Sequence, residues 1–553
     1  MTIDVHNVLY IALAGLAVYT VKSLFLSRNS PAPLPPGPKG RVFIGNLGDL
    51  PRPREQEWIH WYKHKDLYGK VLSVIHFFMT SDECFYTRVF QGPISSITTF
   101  GQTLIILNDQ RIAFDLLEKR SSKYSSRPRM IFGGEMVGWG KTLVAQQYSD
   151  RFRAYRKNIH AILGSKAAVS QFNQLQNVEV RRFLLRTLED PDKLLQHIRT
   201  TAGAIILKIS HGYTIEPRDR DPLVDLADEV LDHFSRSAVA GAWLVDTIPF
   251  LKYLPSWLPG MSFKRIAATW NKALTRLVEQ PHAFVKQRMT GGVHTPSYTS
   301  ALLEKGNLDP EEEDIVKWSA QSLYSGGADT TVSALQCFFL AMLVYPEVQA
   351  RAQEEIDRVV GNDRLPGYGD REELPYINAI VKEVLRWHPV GPLAFPHMAT
   401  EDGIYEDYFI PKGALLIPNI WCFTHDPKHH HDPMTFKPER FLGIDGRAPE
   451  MDPHNLAFGF GRRVCPGREL ADATIFLAIA QTLAVFNVTK RLGDDGHVIE
   501  PKVQFTPGAI SHPTEFKLSV KPRSEKAATL IRSVEEEHPF MTSDAKTLLS
   551  FKF

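Results

Sequence analysis

The chain has 553 residues, 43% hydrophobic and 23% charged, an ordinary globular balance that allows one large domain or several smaller ones. A net charge of +2, with no Lys/Arg-rich run interleaved with aromatics, gives no drive toward nucleic acid, and no nucleic-acid partner is expected. The four cysteines, Cys84, Cys337, Cys422 and Cys465, contain no C-x-x-C pair, so they make no disulfide framework and fit a reducing compartment.

Val5 to Val21 contains no Asp, Glu, Lys or Arg, and apolar residues continue to Leu26. This is about the length of a membrane-spanning helix, at the short end of the range. Asp4 precedes the span while Lys22 and Arg28 follow it, which orients the rest of the chain to the cytosol. A cleaved signal peptide is the competing reading, but it would want positive charge before the apolar run. Residues 1–28 are therefore expected to be a retained anchor. Residues 29–40 carry Pro31, Pro33, Pro35, Pro36 and Pro38 and read as a stiff, non-helical hinge.

Short β-branched runs at Ile94–Thr99 and Leu104–Leu107 predict strands. The sequence Tyr-Ser-Ser-Arg127 follows, then Phe152-Arg-Ala-Tyr-Arg156. Helical periodicity dominates residues 150 to 390, as in Pro346–Val360 and Pro375–Trp387. Gly326-Gly-Ala-Asp-Thr-Thr331 lies inside a long helical stretch, roughly Glu313 to Val344. Two glycines there cost about 1 kcal/mol each relative to Ala, and Thr330 can bond back to a carbonyl, so a kink or local groove is expected. Glu383 and Arg386, at i and i+3, share a helix face and by themselves read as a surface ion pair. Pro396-His397 follows that helix, and Leu415–Pro418 predicts another strand. His429, His430 and His431 are adjacent, cannot converge on one metal, and read as a solvated loop. Pro438-Glu-Arg440-Phe441 precedes the most informative segment, Phe458-Gly-Phe-Gly-Arg-Arg463-Val-Cys465-Pro-Gly467. This is a Gly-rich loop ending in a cysteine at the start of an apolar helix, Glu469 to Val485. The helix N-terminus and nearby arginines are expected to favour thiolate over thiol at Cys465, although a lone buried structural cysteine is the plain alternative. Glu515–Val520 predicts a last strand, and residues 524–553 form a mixed-charge tail without an evident role.

The cysteine segment resembles the haem loop F-x-x-G-x-R-x-C-x-G of the cytochrome P-450 family, matching at Phe458, Gly461, Arg463, Cys465 and Gly467. The motifs run in the family's order over almost the whole chain. The resemblance implies a mainly α fold with a small β region, residues 41–523, preceded by the single transmembrane helix. It implies haem b with Cys465 as axial iron ligand, Arg463 on a propionate and Phe458 near the sulfur. Arg156 and Phe152 resemble the family's W-x-x-x-R with Phe in place of Trp, which implies a second propionate contact without the indole donor. His397 and Arg127 are further propionate candidates, with surface roles as the alternative. Asp329 and Thr330 resemble the oxygen-activation motif and would relay protons to dioxygen at the iron. Glu383, Arg386 and Arg440 would form a buried cluster behind the haem.

The resemblance further implies a monooxygenase drawing NADPH electrons from a separate flavoprotein reductase, with a single-pass anchor in the endoplasmic reticulum membrane and a cytosolic catalytic domain. Segments such as TAGAIILKISHGY and VDTIPFLKYLPSWLPG resemble fungal secondary-metabolism members of the O-methylsterigmatocystin oxidoreductase type, which implies a terpenoid, polyketide or indole-derived substrate. The family lines its pocket from segments that here are Ile131–Tyr148, Ser235–Gly260, the helix near Tyr324 and Ala328, Val390–Phe395, and Pro507–His512. Their apolar composition implies a hydrophobic, low-charge substrate. Trp243–Pro259 either dips into the bilayer or packs internally. A haem-thiolate isomerase or dehydratase needing no reductase, and a non-catalytic haem sensor, are the alternative functions.

One stretch departs from the family pattern. After Tyr68-Gly69 the family expects Pro-Ile-Ser-Ser, but Lys70–Gln91 intervenes, rich in aromatics and ending in Phe-Gln. Pyrimidine-rich DNA ending in CAG would encode this, so a retained intron translated in frame is expected, with a genuine insertion as the alternative.

Overall fold

The computed structural model describes residues 30–551 except 43, 53, 69, 74–87, 239–241 and 444–445. The expected membrane helix, Cys84 and most of the Lys70–Gln91 stretch lie outside the described residues. The principal helices are α1 (Asp150–Leu163), α2 (Asn173–Glu189), α3 (Leu194–His211), α4 (Pro222–Ser237), α5 (Phe263–Thr290), α6 (Pro310–Val344), α7 (Pro346–Val359), α8 (Pro375–Trp387), α9 (Arg468–Val485) and α10 (Glu525–Glu537). Against them stands a four-stranded sheet in the order β1 (Ile94–Thr99), β2 (Gln102–Leu107), β4 (Leu415–Pro418), β3 (His397–Met398). Only the β2–β4 pairing is parallel. The fold is mainly helical with small sheets.

α6 organises the molecule. Asp309 caps it by accepting from the Glu311 and Glu312 N–H groups at 2.8 Å, and Pro310 occupies its first turn, so it starts three residues before the apolar pattern does. It is long and apolar enough to cross a membrane, yet most of it is buried as the core helix. Its first half, Val316 to Tyr324, joins a core built with α1, α3, α4 and α5. Its second half, Val332 to Leu343, joins a core built with α2, α8 and α9. Between the two cores lie Gly326 to Thr331.

Two segments do more than their composition suggests. The Pro-rich stretch docks onto β1: the Ser96 N–H donates to Pro36 O at 2.9 Å and the Ser96 hydroxyl to Pro35 O at 2.6 Å. The mixed-charge tail folds as α10 against α2, burying Ala527, Ile531 and Val534. Arg181 forks onto Glu537 at 2.7 and 2.8 Å. Further on, Asp544 accepts from Thr214 N at 2.9 Å and pairs with Arg288, and Leu548 enters the α1–α3–α4–α5 core. The tail therefore straps one core to the other.

Lys70–Ser73 and Arg88–Gln91 pair as antiparallel strands. Beyond them the chain returns to its departure point. Gly92 N donates to Lys65 O at 2.6 Å, and a Cβ on Gly92 would lie 1.7 Å from Tyr68 O. Only glycine permits that approach.

Candidate active site

A cavity lies where the two cores part. Gly326, Gly327, Thr330 and Thr331 of α6 form one side, and Phe458, Arg463, Cys465 and Gly467 of the cysteine loop form the other. Gly459 (φ 78) and Gly461 (φ 51) hold left-handed conformations that turn this loop, and a Cβ on Gly461 would lie 2.5 Å from Leu117 O. The Cys465 N–H donates to Phe458 O at 2.7 Å, closing the turn just before Gly467 caps α9. Protein encloses Cys465, and its remaining accessible surface faces the cavity. Burial pushes the Cys465 thiol above its ordinary pKa, outweighing the Gly467 N–H and the Arg156 and Arg468 charges. A metal cation at the sulfur reverses that balance, because a coordinating thiol loses its proton.

Three guanidiniums converge on the cavity. Arg127 is buried and donates to Val144 O at 3.1 Å and to Phe395 O and Pro396 O at 2.9 Å. Arg463 donates to Ser125 O and Gln146 O at 2.6 Å, and its guanidinium carbon lies 3.8 Å from the Phe152 ring centroid, a cation–π contact. Arg156 donates to Val464 O at 2.5 Å. None of the three forms an ion pair among the described residues. Burial lowers all three pKa values, helped at Arg127 by Arg463 and at Arg463, which falls to about 10, by Arg156. His397 lines the same wall, donates from Nδ1 to Tyr124 O at 2.6 Å, and is kept neutral by burial and the Arg127 charge.

These residues fit an iron protoporphyrin. Buried cations without protein carboxylates match an anionic ligand such as the two propionates. A thiol aimed into the same cavity matches an axial iron ligand, and the glycine loop provides a surface against which a flat ring can lie.

Behind the cysteine loop, Glu383 of α8 accepts from Arg386 Nε at 2.7 Å and Nη2 at 2.8 Å, and from Arg440 Nε at 3.1 Å. The remaining Arg386 donors reach Thr424 O, Pro433 O and Thr435 O. The pair read in isolation as a surface contact is wholly buried. The histidine run also departs from expectation. His430 is buried and its Nδ1 lies 2.6 Å from Glu450 Oε2, while Glu450 also receives Arg440 at 2.9 Å. It extends the Glu383 network rather than a solvated loop. The outward-pointing signal of its neighbours concealed it. Among the described residues, no group of His, Cys, Asp and Glu could hold a metal ion by itself.

On α6, Thr330 faces the cavity and donates to Gly326 O at 2.7 Å. The helix assignment runs unbroken through this point. Gly326 faces open space, whereas Gly327 lets α3 approach: a Cβ there would lie 2.8 Å from Ile206. Asp329 lies outside the cavity wall, with Oδ2 3.1 Å from His512 Nε2.

The substrate side is apolar, with Leu231 and Phe234 of α4, Val144, Phe395 and Ile510. Of the expected segments, Ile131–Tyr148, Val390–Phe395 and Pro507–His512 contribute to the wall. The helix near Tyr324 and Ala328 contributes too, through Ser322, Leu323 and Gly326, while Tyr324 itself turns away and donates to Leu223 O at 2.8 Å. Among the described residues of Ser235–Gly260, none lines the cavity. Trp243 stacks on Phe132 at 3.5 Å, while Leu244, Phe250, Tyr253 and Trp257 are exposed, the last at 80%. Sequence reading missed Ile205 and Ile206 of α3 and Thr474 of α9, whose helical periodicity reads simply as core.

A helical fold with a cysteine loop facing a two-glycine turn across an apolar cavity defines a haem-thiolate protein. Residues 65–520 match the sequence model of the Cytochrome P450 family, and the chain belongs to that family. It is 48% identical over 547 residues to "Cytochrome P450 monooxygenase claR" of Ampulloclitocybe clavipes, covering 99% of this chain and 96% of that protein. It is 46% identical to "Cytochrome P450 monooxygenase ppsD" of Aspergillus oryzae, covering 94% of each. It is 39% identical to "O-methylsterigmatocystin oxidoreductase" of Aspergillus flavus, covering 99% of this chain and 98% of that protein. The chain is a cytochrome P450 monooxygenase similar to these fungal proteins, and its cofactor is haem.

Proposed function

We propose that this monooxygenase hydroxylates or otherwise oxidises a hydrophobic secondary-metabolite intermediate of terpenoid, polyketide or indole-derived class. NADPH electrons arrive through a separate flavoprotein reductase. Residues 1–28 anchor the enzyme in the endoplasmic reticulum membrane with the catalytic domain in the cytosol.

The observation that carries this reading is that Cys465 and Thr330 open onto one cavity whose substrate side is apolar. Cys465 would hold the haem iron, and Arg127, Arg156 and Arg463, with His397, would hold the propionates. When bound, the haem supplies oxygen activation, strengthened by electron density from the thiolate. The protein's own part is positional. Leu231, Phe234, Phe395 and Ile510 exclude water and orient an apolar substrate. The Thr330 hydroxyl, now bonded to Gly326 O, swings from that carbonyl to offer its proton to the cavity. Asp329 stands one residue behind as the acid that restores it. The exposed Leu244, Phe250, Tyr253 and Trp257 lie on the bilayer and admit lipophilic substrate from it.

The test is incubation of the full-length holoenzyme with a fungal P450 reductase, NADPH and labelled dioxygen against a panel of the three substrate classes. One labelled oxygen in product, dependent on NADPH, is expected. Product formed without NADPH or label would identify a rearranging isomerase instead. The reduced carbon-monoxide difference spectrum, with Cys465→Ala as control, checks thiolate ligation first.

A further inference from the structure

The Asp329 carboxylate has a partner on the loop that walls the cavity. His512 Nε2 lies 3.1 Å from Asp329 Oδ2, and His512 Nδ1 lies 3.2 Å from Gln336 Oε1. An amide oxygen only accepts, so Nδ1 carries a proton. Nε2 then either donates to the Asp329 carboxylate as an imidazolium or accepts from a protonated Asp329. Both arrangements place one proton between Nε2 and Oδ2.

The imidazole is held firmly. The His512 N–H donates to Thr506 Oγ1 at 3.0 Å, and the Ser511 N–H donates to Val390 O at 2.9 Å. Ser333 of α6 donates to Ser511 O at 2.6 Å, and the Ser511 hydroxyl meets His388 Nε2 at 2.8 Å. Ala509 and Ile510, just upstream, line the cavity. One loop thus forms substrate wall and presents the imidazole.

Charged groups grade outward from the site. Asp329 comes from α6, Asp228 from α4 and Arg199 from α3, with Arg199 Nε 3.1 Å from Asp228 Oδ1. Asp228 feels both Asp329 and His512, and burial raises its pKa. His388, at the end of α8, is pushed down to about 3 by burial and stays neutral. The side chains of His512 and Asp329 are 20% and 16% exposed, against 40% and 50% for Arg199 and Asp228. The pair is thus itself partly open to solvent.

We propose that His512 is a positioning and proton-supplying residue for Asp329, taking a proton from solvent and passing it from Nε2 to Oδ2. This rests on the reading of Asp329 and Thr330 as a proton relay. In the step an Nε2–H bond breaks and an Oδ2–H bond forms; water then reprotonates the imidazole, and no electrons move.

Two measurements test it. In histidine-labelled holoenzyme, reduced and carbon-monoxide-bound, the His512 imidazole nitrogen NMR signal is assigned by its loss in His512→Gln. The Nε2 signal should move in Asp329→Asn and the Nδ1 signal in Gln336→Leu, which leaves both proton-handling side chains in place. Unmoved nitrogen signals in both variants overturn the pairing. With NADPH, a fungal reductase and dioxygen, and no organic substrate, peroxide released per NADPH should rise several-fold in His512→Gln. Its pH profile should flatten while the carbon-monoxide spectrum is unchanged. Asp329→Asn should do the same, and the double variant no more. Uncoupling in Asp329→Asn but not in His512→Gln overturns the proposal and leaves the relay standing. Uncoupling in neither removes the relay and the proposal with it.

Discussion

Arg386 stands one helical turn after Glu383 on α8, and its Nε and Nη2 both reach that one carboxylate, at 2.7 and 2.8 Å, with neither side chain exposed. Arg440 adds a third donor. Removing the carboxylate leaves two buried guanidiniums facing each other, which costs about 3–5 kcal/mol. Glu383→Ala should therefore fold poorly and retain little haem. Denaturant unfolding and the haem-to-protein ratio check this.

Thr330→Ala deletes the one hydroxyl of the α6 turn that lies one residue from Asp329 and faces the cavity. The back-bond to Gly326 O disappears with it, and the helix keeps its regular backbone bonds. The carbon-monoxide spectrum should remain, while peroxide per NADPH rises. Unchanged coupling would refute the relay.

His454 lies between two carboxylates, with Nδ1 2.6 Å from Asp452 and Nε2 3.0 Å from Asp472, and stacks on Phe458 of the cysteine loop. Burial lowers its pKa, but the two carboxylates outweigh that and hold it at about 9. A folded pKa above the unfolded value of about 6.5 means the stabilisation is complete below about pH 6.5 and is lost as pH rises through about 9. The loss is on the order of 1–3 kcal/mol. Thermal unfolding should show it across this range in wild type, and His454→Gln should flatten the profile.

Truncation after Arg523 removes α10 and Leu548. Ile531, Val534 and Leu548 are each 1% exposed, and a fully buried side chain of this size contributes about 1.5–3 kcal/mol. The truncated enzyme should unfold at markedly lower denaturant concentration. An unchanged midpoint would mean the strap is dispensable.

Excision of residues 70–91 should leave a foldable enzyme, because Tyr68 and Gly92 already touch. The shortened protein is expected to yield at least as much carbon-monoxide-binding haem-thiolate as the full chain. Failure of the short form alone, or a spliced transcript encoding Lys70–Gln91, would establish a genuine insertion.

The sequence by itself determined the elements and chemistry that depend on local spacing. The i, i+3 pair on α8, the cysteine loop with its glycines, and α9 after it are all written in neighbouring residues. So are β1, β2 and β4 of the main sheet, from β-branched runs, whereas the two-residue β3 shows no such run. Only the tertiary structure decided what depends on residues distant in the chain. Burial made the Glu383–Arg386 pair a core network and brought His430 into it through Glu450, twenty positions away. Desolvation, which no local pattern displays, opposes the Gly467 N–H and the arginines at Cys465. The tail's role required a partner surface on α2. Asp329 met His512 because a loop nearly two hundred residues later is fastened beside α6, a contact that no periodicity within either segment encodes.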